Sequence, residues 1–253
     1  MTLLCPTRAF IMKIRVATYN VHKCRGLDRR VRPGRIVEVL REIDADIIAL
    51  QEVLSLQGAT REKDQARFIS EELKMVCALG GTRVHKGAMY GNVVLSRLPV
   101  LETANYDISV HGREERGCMR ADIRANGSGV LHVFNVHLGT AYVERRHQGR
   151  KLVDETILNN GQLSGARILL GDFNEWTRGL TTRLLGSHLT SADIKTHLKR
   201  SRTYPWVLPF LHLDHIYFDN SLELERMTLH KSRIALVASD HLPLVADFRI
   251  HGD

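Results

Sequence analysis

The segment Arg167-Ile168-Leu169-Leu170 is a run of β-type residues that ends in Gly171-Asp172-Phe173-Asn174. A strand stopping there places a carboxylate and an amide two positions apart, on one side of the strand exit. At such an exit both groups can reach a ligand without being buried unpaired. Gly, Asp and Asn are also common turn residues, so the tetrad alone reads equally as a turn. Similar endings recur, however. Ile14–Tyr19 leads into Asn20 and His22, Asp46–Leu50 into Gln51 and Glu52, and Leu131–Val136 into His137. Leu211–Leu213 meets Asp214 and His215, and Ile234–Ala238 leads into Ser239, Asp240 and His241. Six apolar segments read as strands, each delivering Asn, Glu, Asp or His at an edge, describe one site fed from many strands. Glu52, Asp172, Asp240 and the amides of Asn20 and Asn174 are hard oxygen donors, which suit Mg²⁺ or Mn²⁺ rather than zinc.

The elements that must carry these groups follow from periodicity. After a first strand beginning at Met12-Lys13, Val21–Arg32 is a polar, basic loop. Pro33 stands where a first helical turn tolerates proline, and Ile36, Val37, Val39, Leu40 and Ile43 give a helical apolar face. The strand to Glu52 follows, a β-α-β start that implies parallel pairing. Residues 60–74 read as a second amphipathic helix. Met75–Leu79, Arg83–Lys86 and Asn92–Leu95 read as short strands. Leu101–Ile108 and Cys118–Ala125 are expected to pair with Gly129–Leu138, with Asn126-Gly127 as a hairpin turn. The sequon Asn126-Gly127-Ser128 is accounted for by that turn. Helices are expected at 143–158 and at Glu175–Leu185. Tyr204–Phe210 is a proline-broken aromatic run that cannot be an interior strand; it reads as core cover or as an apolar lip near Asp214.

The chain has 253 residues, room for one large domain or two small ones. Candidate site residues run from Asn20 to His241, so neither half could hold the site alone. Residues 1–11 therefore read as an N-terminal extension and 12–253 as a single domain. The formal charge of +8 favours a polyanionic partner: nucleic acid, anionic lipid or a phosphorylated metabolite. Cys5, Cys24, Cys77 and Cys118 lack paired spacing, which points to reduced thiols and a cytoplasmic location. His22-x-Cys24 has no second Cys/His pair to complete a zinc ligand set. No apolar run approaches the ~20 residues of a membrane span, and the first eleven residues make a poor signal peptide.

Tyr19-Asn20-Val21, Leu50-Gln51-Glu52, Asn135-Val136-His137-Leu138, Gly171-Asp172-Phe173-Asn174, Leu213-Asp214-His215-Ile216 and Ser239-Asp240-His241-x-Pro243 occur in an order that resembles the endonuclease/exonuclease/phosphatase (DNase I-like) superfamily, over roughly residues 13–250. The resemblance is shortest to uncharacterised bacterial members. It implies a four-layer α/β sandwich, two packed mixed β-sheets flanked by helices. It also implies hydrolysis of a phosphate ester with Mg²⁺ or Mn²⁺. Glu52 would be the principal metal ligand, with Asn20 and Asp240 completing the site directly or through water. His241 paired with Asp214 would move a proton, Asp172 would orient or deprotonate the attacking water, and Asn174 would hold a phosphoryl oxygen. His137 would donate to the phosphate or assist the leaving group. Asn92, in a further family-like stretch from Tyr90 to Arg97, could help position substrate, and Arg116 is a candidate phosphate clamp.

Two departures stand out. His22 occupies the position where DNase I and exonuclease III carry Asp, and no Glu partner for His137 is evident. The functional expectation is a metal-dependent phosphodiesterase acting on nucleic acid. One alternative keeps the chemistry and changes the substrate to phospholipid or a soluble phosphorylated metabolite. Another is an inactive nucleic-acid-binding module.

Overall fold

The computed structural model describes residues 11–251 except 57, 59, 62, 86, 126–128, 176–178 and 193–212. The described strands form two six-stranded sheets. The first contains β1 (Ile11–Asn20), β2 (Ile47–Ser55), β3 (Val76–His85), β4 (Ala88–Ser96), β11 (Leu222–Leu229) and β12 (Leu244–His251), in the order β11-β12-β1-β2-β4-β3. The second contains β5 (Val100–Asp107), β6 (Gly117–Arg124), β7 (Val130–His137), β8 (Ala166–Asp172), β9 (Thr190–Ser191) and β10 (Asp214–Phe218), in the order β5-β6-β7-β8-β10-β9. Each sheet has one parallel pair at its centre, β1 with β2 and β7 with β8, and antiparallel neighbours around it.

Alternation along the strands fills three cores. Ile14 and Val16 of β1 face Val133, Ile168 and Leu170 of the other sheet, whereas Ala17 and Tyr19 face outward under helices. Helix α1 (Pro33–Ile43) buries Ile36, Val37, Val39, Leu40 and Ile43 there, beside α2 (Gln65–Leu73). On the outer face of the second sheet, Phe134, Leu169 and Tyr217 pack with Leu152 of α3 (Tyr142–Leu152) and Leu185 of α4 (Leu180–Gly186). The layers run helix, sheet, sheet, helix, the sandwich that the resemblance implies. Gly171 marks a close approach between the paired strands β7 and β8: its φ is +148°, and a Cβ there would stand 1.9 Å from the Val136 carbonyl oxygen.

Several element boundaries differ from the sequence reading. Ile234–Ala238 is not a strand but leads into a single helical turn, α5 (Ala235–Ala238), begun by the Ser232 hydroxyl accepting from the Ala235 N–H at 3.2 Å. A short apolar run cannot be told from a buried helical turn by periodicity. Asp214 opens a strand rather than closing one, and β10 runs antiparallel to β8 with Asp214 opposite Asp172. Helix α2 begins at Gln65 because the Asp64 side chain accepts from the Arg67 N–H, a helix cap. The two short strands read over 75–79 and 83–86 are one described strand, β3 (Val76–His85), whose register shifts between Gly81 and Arg83. Helices α3 and α4 are shorter than expected. The Asn126-Gly127 turn and the Tyr204–Phe210 run lie outside the described residues, although Arg124 and Val130 pair across the expected hairpin.

Between the sheets, under the end where the candidate site residues emerge, lies a buried polar layer. The Asn135 amide nitrogen donates to the Leu50 and Val93 carbonyls, both at 2.9 Å, and its oxygen accepts from Gln51 Nε2 at 2.8 Å. Asn92 Nδ2 donates to the carbonyls of Gly117 and Asn135. Buried amides satisfied this way fix one sheet against the other, and stranding any of them carries a desolvation penalty. Asn135→Ala is expected to cost about 2–4 kcal/mol of stability. The measurement is the urea midpoint with its slope unchanged; a loss under about 1 kcal/mol would mean the layer does not lock the sheets.

Candidate active site

All the candidate groups reach one edge of the sandwich, by different routes. Asn20 ends β1, His137 ends β7 and Asp172 ends β8. Asp214 begins the antiparallel β10, and Asp240 and His241 lie between α5 and β12, whose first residue pairs with Thr18 near the end of β1. Glu52 needs a special device. The register of β2 against β4 shifts between Leu50 and Val53, and Glu52 has φ +59°. This bulge breaks the strict alternation of β2 and re-aims one side chain. The Glu52 carboxylate thereby enters the cleft instead of a core.

A single amide joins the two sheets' carboxylates. Asn20 Nδ2 donates to Asp172 Oδ2 at 2.9 Å and to Glu52 Oε1 at 3.2 Å. The other Glu52 oxygen accepts from Lys23 Nζ at 2.5 Å. Burial opposes the Glu52 charge, yet His137 first, then Lys23 and the Asn20 amide, lower its pKa. With His137 neutral at neutral pH, Lys23 and Asn20 are the groups that favour the charged carboxylate there. Asp172 Oδ1 accepts from the Asn174 N–H at 2.9 Å, and Asn174, at φ +48°, donates its side-chain amide to the Leu138 carbonyl.

Two imidazoles face Asp172 Oδ2, His137 Nε2 at 3.5 Å and His241 Nε2 at 3.6 Å. Their outer nitrogens have opposite partners. His137 Nδ1 lies 3.0 Å from Arg116 Nη1. A guanidinium only donates, so Nδ1 accepts and the ring proton sits on Nε2. Burial first, then the Arg116 charge, lower the His137 pKa to about 4. His241 Nδ1 lies 3.0 Å from Asp214 Oδ2. Burial works against its charge, but Asp214, Asp172 and Asp240 together push its pKa up to about 10. At neutral pH the site thus holds one neutral and one cationic imidazole on the same carboxylate oxygen. Asp240 pairs with His22 Nδ1 at 3.4 Å and accepts from Ser239 Oγ. Burial opposes its charge too, and His22 leads the groups that nonetheless lower its pKa.

Asn20, Glu52, Arg116, His137, Asp172, Asn174, Asp240 and His241 all line a cleft of about 420 Å³. Asp214 stands behind His241, fully buried. Asn92 does not reach the cleft: it is buried beneath the floor, with its amide nitrogen given to backbone carbonyls. Arg116 is at the cleft but holds His137 and Glu114. Sequence reasoning passed over Lys23, Arg83, Tyr90, Glu114 and Thr140, which also line the cleft. The signal for Lys23 was present, a basic residue three positions past Asn20 in the first basic loop. Nothing local marks Arg83 or Tyr90, which the β3–β4 hairpin brings to the rim.

Among the described residues no three His, Cys, Asp or Glu side chains converge tightly enough to form a metal cage by themselves. That suits a cation that keeps most of its waters and needs one or two carboxylates. Glu52 Oε1 and Asp172 Oδ2 both turn toward the one neutral Asn20 amide nitrogen, and a cation, Lys23, is drawn to Glu52. The residues therefore fit a hard divalent ion.

A profile of the endonuclease/exonuclease/phosphatase family matches residues 17–241. The uncharacterised protein YbhP of Escherichia coli strain K12 is 29% identical over 256 aligned residues, spanning 97% of this chain and 100% of that protein. Among solved structures, an endonuclease/exonuclease/phosphatase from Beutenbergia cavernae superposes with a TM-score of 0.77 at 22% identity, over 97% of this chain and 72% of that one. A mannosyl-6-phosphatase from Bacteroides thetaiotaomicron does so with a TM-score of 0.74 at 17% identity, over 93% of this chain and 99% of that one. These structural likenesses speak to the fold.

Histidine NMR on labelled protein checks the charge assignment. His137 is expected to stay neutral, with its proton on Nε2, down to about pH 4, and His241 to stay charged to about pH 10. Asp214→Asn should bring the His241 pKa down by at least about one unit. The linkage has a sign. His241, raised above its unfolded value, contributes stability that is complete below about pH 6.5 and is lost as pH rises through 10. His137, depressed, costs stability as pH falls from about 6.5 toward 4. A His137 ring that protonates near pH 6.5, about the free value, would overturn the Arg116 assignment.

Proposed function

We propose, from the premise that this chain belongs to the endonuclease/exonuclease/phosphatase family, that it is a Mg²⁺- or Mn²⁺-dependent phosphodiesterase that hydrolyses P–O bonds in nucleic acid. The observation that carries the reading is the Asp172 carboxylate, held between His137, His241 and Asn20 and one amide away from Glu52.

The residues divide the work of hydrolysis. Glu52 and, after rotation of its amide, Asn20 would hold the cation, with Asp240 acting through water. A divalent ion bound there supplies charge neutralisation on the phosphoryl oxygens. Asp172 has one oxygen tied to the Asn174 N–H and the other facing both imidazoles, a geometry that orients an attacking water and accepts its proton. His241, cationic and backed by Asp214, donates to a phosphoryl oxygen and stabilises the charge that develops there. His137 presents a neutral Nε2–H, a donor for the phosphate or the leaving oxygen. Asn174 stays beside Asp172 as a second donor.

Substrate class rests on charge. The +8 excess favours a polyanion, and phosphate contacts by Lys and Arg drive salt-sensitive binding to nucleic acid. The phospholipid alternative leaned on the Trp206–Phe210 lip, which lies outside the described residues, so no structural observation favours it. No helix among the described residues is long and apolar enough to cross a membrane.

The test incubates plasmid, single-stranded DNA and RNA with Mg²⁺ or Mn²⁺, beside anionic phospholipid, inositol phosphates and bis-p-nitrophenyl phosphate. Nucleic acid cleavage is expected, lost on chelation and reduced in kcat/KM by roughly a thousandfold in Glu52→Ala. Turnover of another substrate with all nucleic acids intact would refute the nuclease reading. No turnover of anything would refute the esterase reading.

A further inference from the structure

The cleft is electrically polarised in a way the hydrolytic groups do not use. Asp172, Asp214 and Asp240 gather at one end, with His241 among them. The other end is a wall of cations: Lys23, Arg83 and Arg116. Two of these cations stand over a single ring, Arg83 Cζ 4.6 Å and Lys23 Nζ 5.4 Å from the centroid of Tyr90. Glu114 bridges the two arginines, accepting from Arg83 Nη2 at 2.5 Å and Arg116 Nη2 at 2.7 Å. Three cations therefore share two carboxylates, Glu52 and Glu114. The Nε–H groups of Arg83 and Arg116 are buried without a hydrogen-bond partner among the described residues, although Arg116 itself is only 6% exposed.

The wall is built rather than incidental. Arg83 reaches it because β3 bulges between Gly81 and Arg83, and Tyr90 lies opposite Arg83 on β4. The hairpin can pack so closely because Gly91 replaces a side chain with nothing: a Cβ there would sit 2.2 Å from the Gly80 carbonyl oxygen. Likewise a Cβ on Gly117 would sit 2.7 Å from Thr82 Cγ2, so the first sheet's hairpin abuts the residue next to Arg116. Two rigid elements from different sheets thus hold guanidiniums facing the same open space. Lys23 and Arg83 are partly exposed, Arg116 is buried, and the three share only two carboxylates; an excess of cations at a cleft wall attracts an anion, and guanidinium forks match phosphate.

We propose that Lys23, Arg83 and Arg116 form a second anion subsite. It holds a phosphate of the same substrate molecule while the scissile phosphoryl group sits over Asp172. The inference rests on the phosphoesterase reading of this cleft and deepens it: preferred substrates carry two phosphoryl groups in one reach of the site. A polynucleotide backbone meets that requirement, and so does a small bisphosphate.

The experiment compares thymidine 3′,5′-bisphosphate with the two thymidine monophosphates, and 1,4-butanediol bisphosphate with butyl phosphate. Each is scored as a competitor of bis-p-nitrophenyl phosphate hydrolysis and by calorimetric binding to the full-length protein. The second phosphate is expected to improve binding roughly tenfold or more in the wild type. That advantage should vanish in Arg83→Gln and partly return in Arg83→Lys, while monophosphate binding sets the reference within each variant. An effect in both pairs means the subsite reads phosphate alone; an effect in the thymidine pair only means it reads a nucleotide. Equal binding of mono- and bisphosphates by the wild type would overturn the subsite even with hydrolysis intact. If bis-p-nitrophenyl phosphate is not hydrolysed, the esterase reading fails separately, and the calorimetric comparison still decides the subsite.

Discussion

One nitrogen atom ties the site together. Asn20 Nδ2 donates to a carboxylate from each sheet, Glu52 of the first and Asp172 of the second. That bond pair exists only if the two sheets hold a fixed position relative to each other at this edge. Apolar packing between them is non-directional and tolerates sliding. The directional constraint comes from the amides just below, Asn135, Gln51 and Asn92, whose bonds cross the layer or join neighbouring strands. The position of the two cleft carboxylates thus depends on buried polar groups, which would otherwise weaken a core.

The same economy sets the protonation states. His137 and His241 are both buried and both face Asp172 Oδ2, so their first neighbours do not distinguish them. The distinction lies one bond further out, where Arg116 stands behind one ring and Asp214 behind the other. A guanidinium behind an imidazole forces it to accept and so to remain neutral; a carboxylate behind it makes the charged form the cheaper one. Environments that push two titratable groups apart are what acid–base work requires at a single pH. Here the pushing is done by Asp214, buried behind the cleft, and by Arg116 in its wall.

Much of this was legible in the chain. The motif order pointed to the fold and to a set of groups that the structure brings to one cleft, because most of them sit at strand edges, and strand edges are visible as apolar runs ending in polar residues. What was not legible depended on backbone departures from regularity. Glu52 and Arg83 reach the cleft through bulges, and a bulge leaves no mark in a two-residue alternation. Ile234–Ala238 was misread because five apolar residues fit a strand and a helical turn equally well, and only the Ser232 hydroxyl bonded to the Ala235 N–H separates them. Asn92 lies buried beneath the cleft and Arg116 in its wall, and their bonding partners on other strands could not be foreseen from the sequence.

His22 stands where the sequence resemblance implies an Asp, and the backbone there fixes what it touches. His22, Lys23 and Cys24 all have positive φ, between 46° and 58°. Left-handed geometry costs a non-glycine residue about 1–2 kcal/mol, so three in succession need strong restraint. The restraint is present: Cys24 is buried, Gln65 donates to the Lys23 carbonyl at 2.7 Å, and the His22 N–H donates to Asn20 Oδ1 at 3.0 Å. The strain aims His22 at Asp240 and Lys23 at Glu52. At the position where the sequence resemblance implies a further carboxylate, the loop sets an imidazole against Asp240, and at the next position an ammonium against Glu52, so two of the cleft's carboxylates already have nitrogen partners from one short turn.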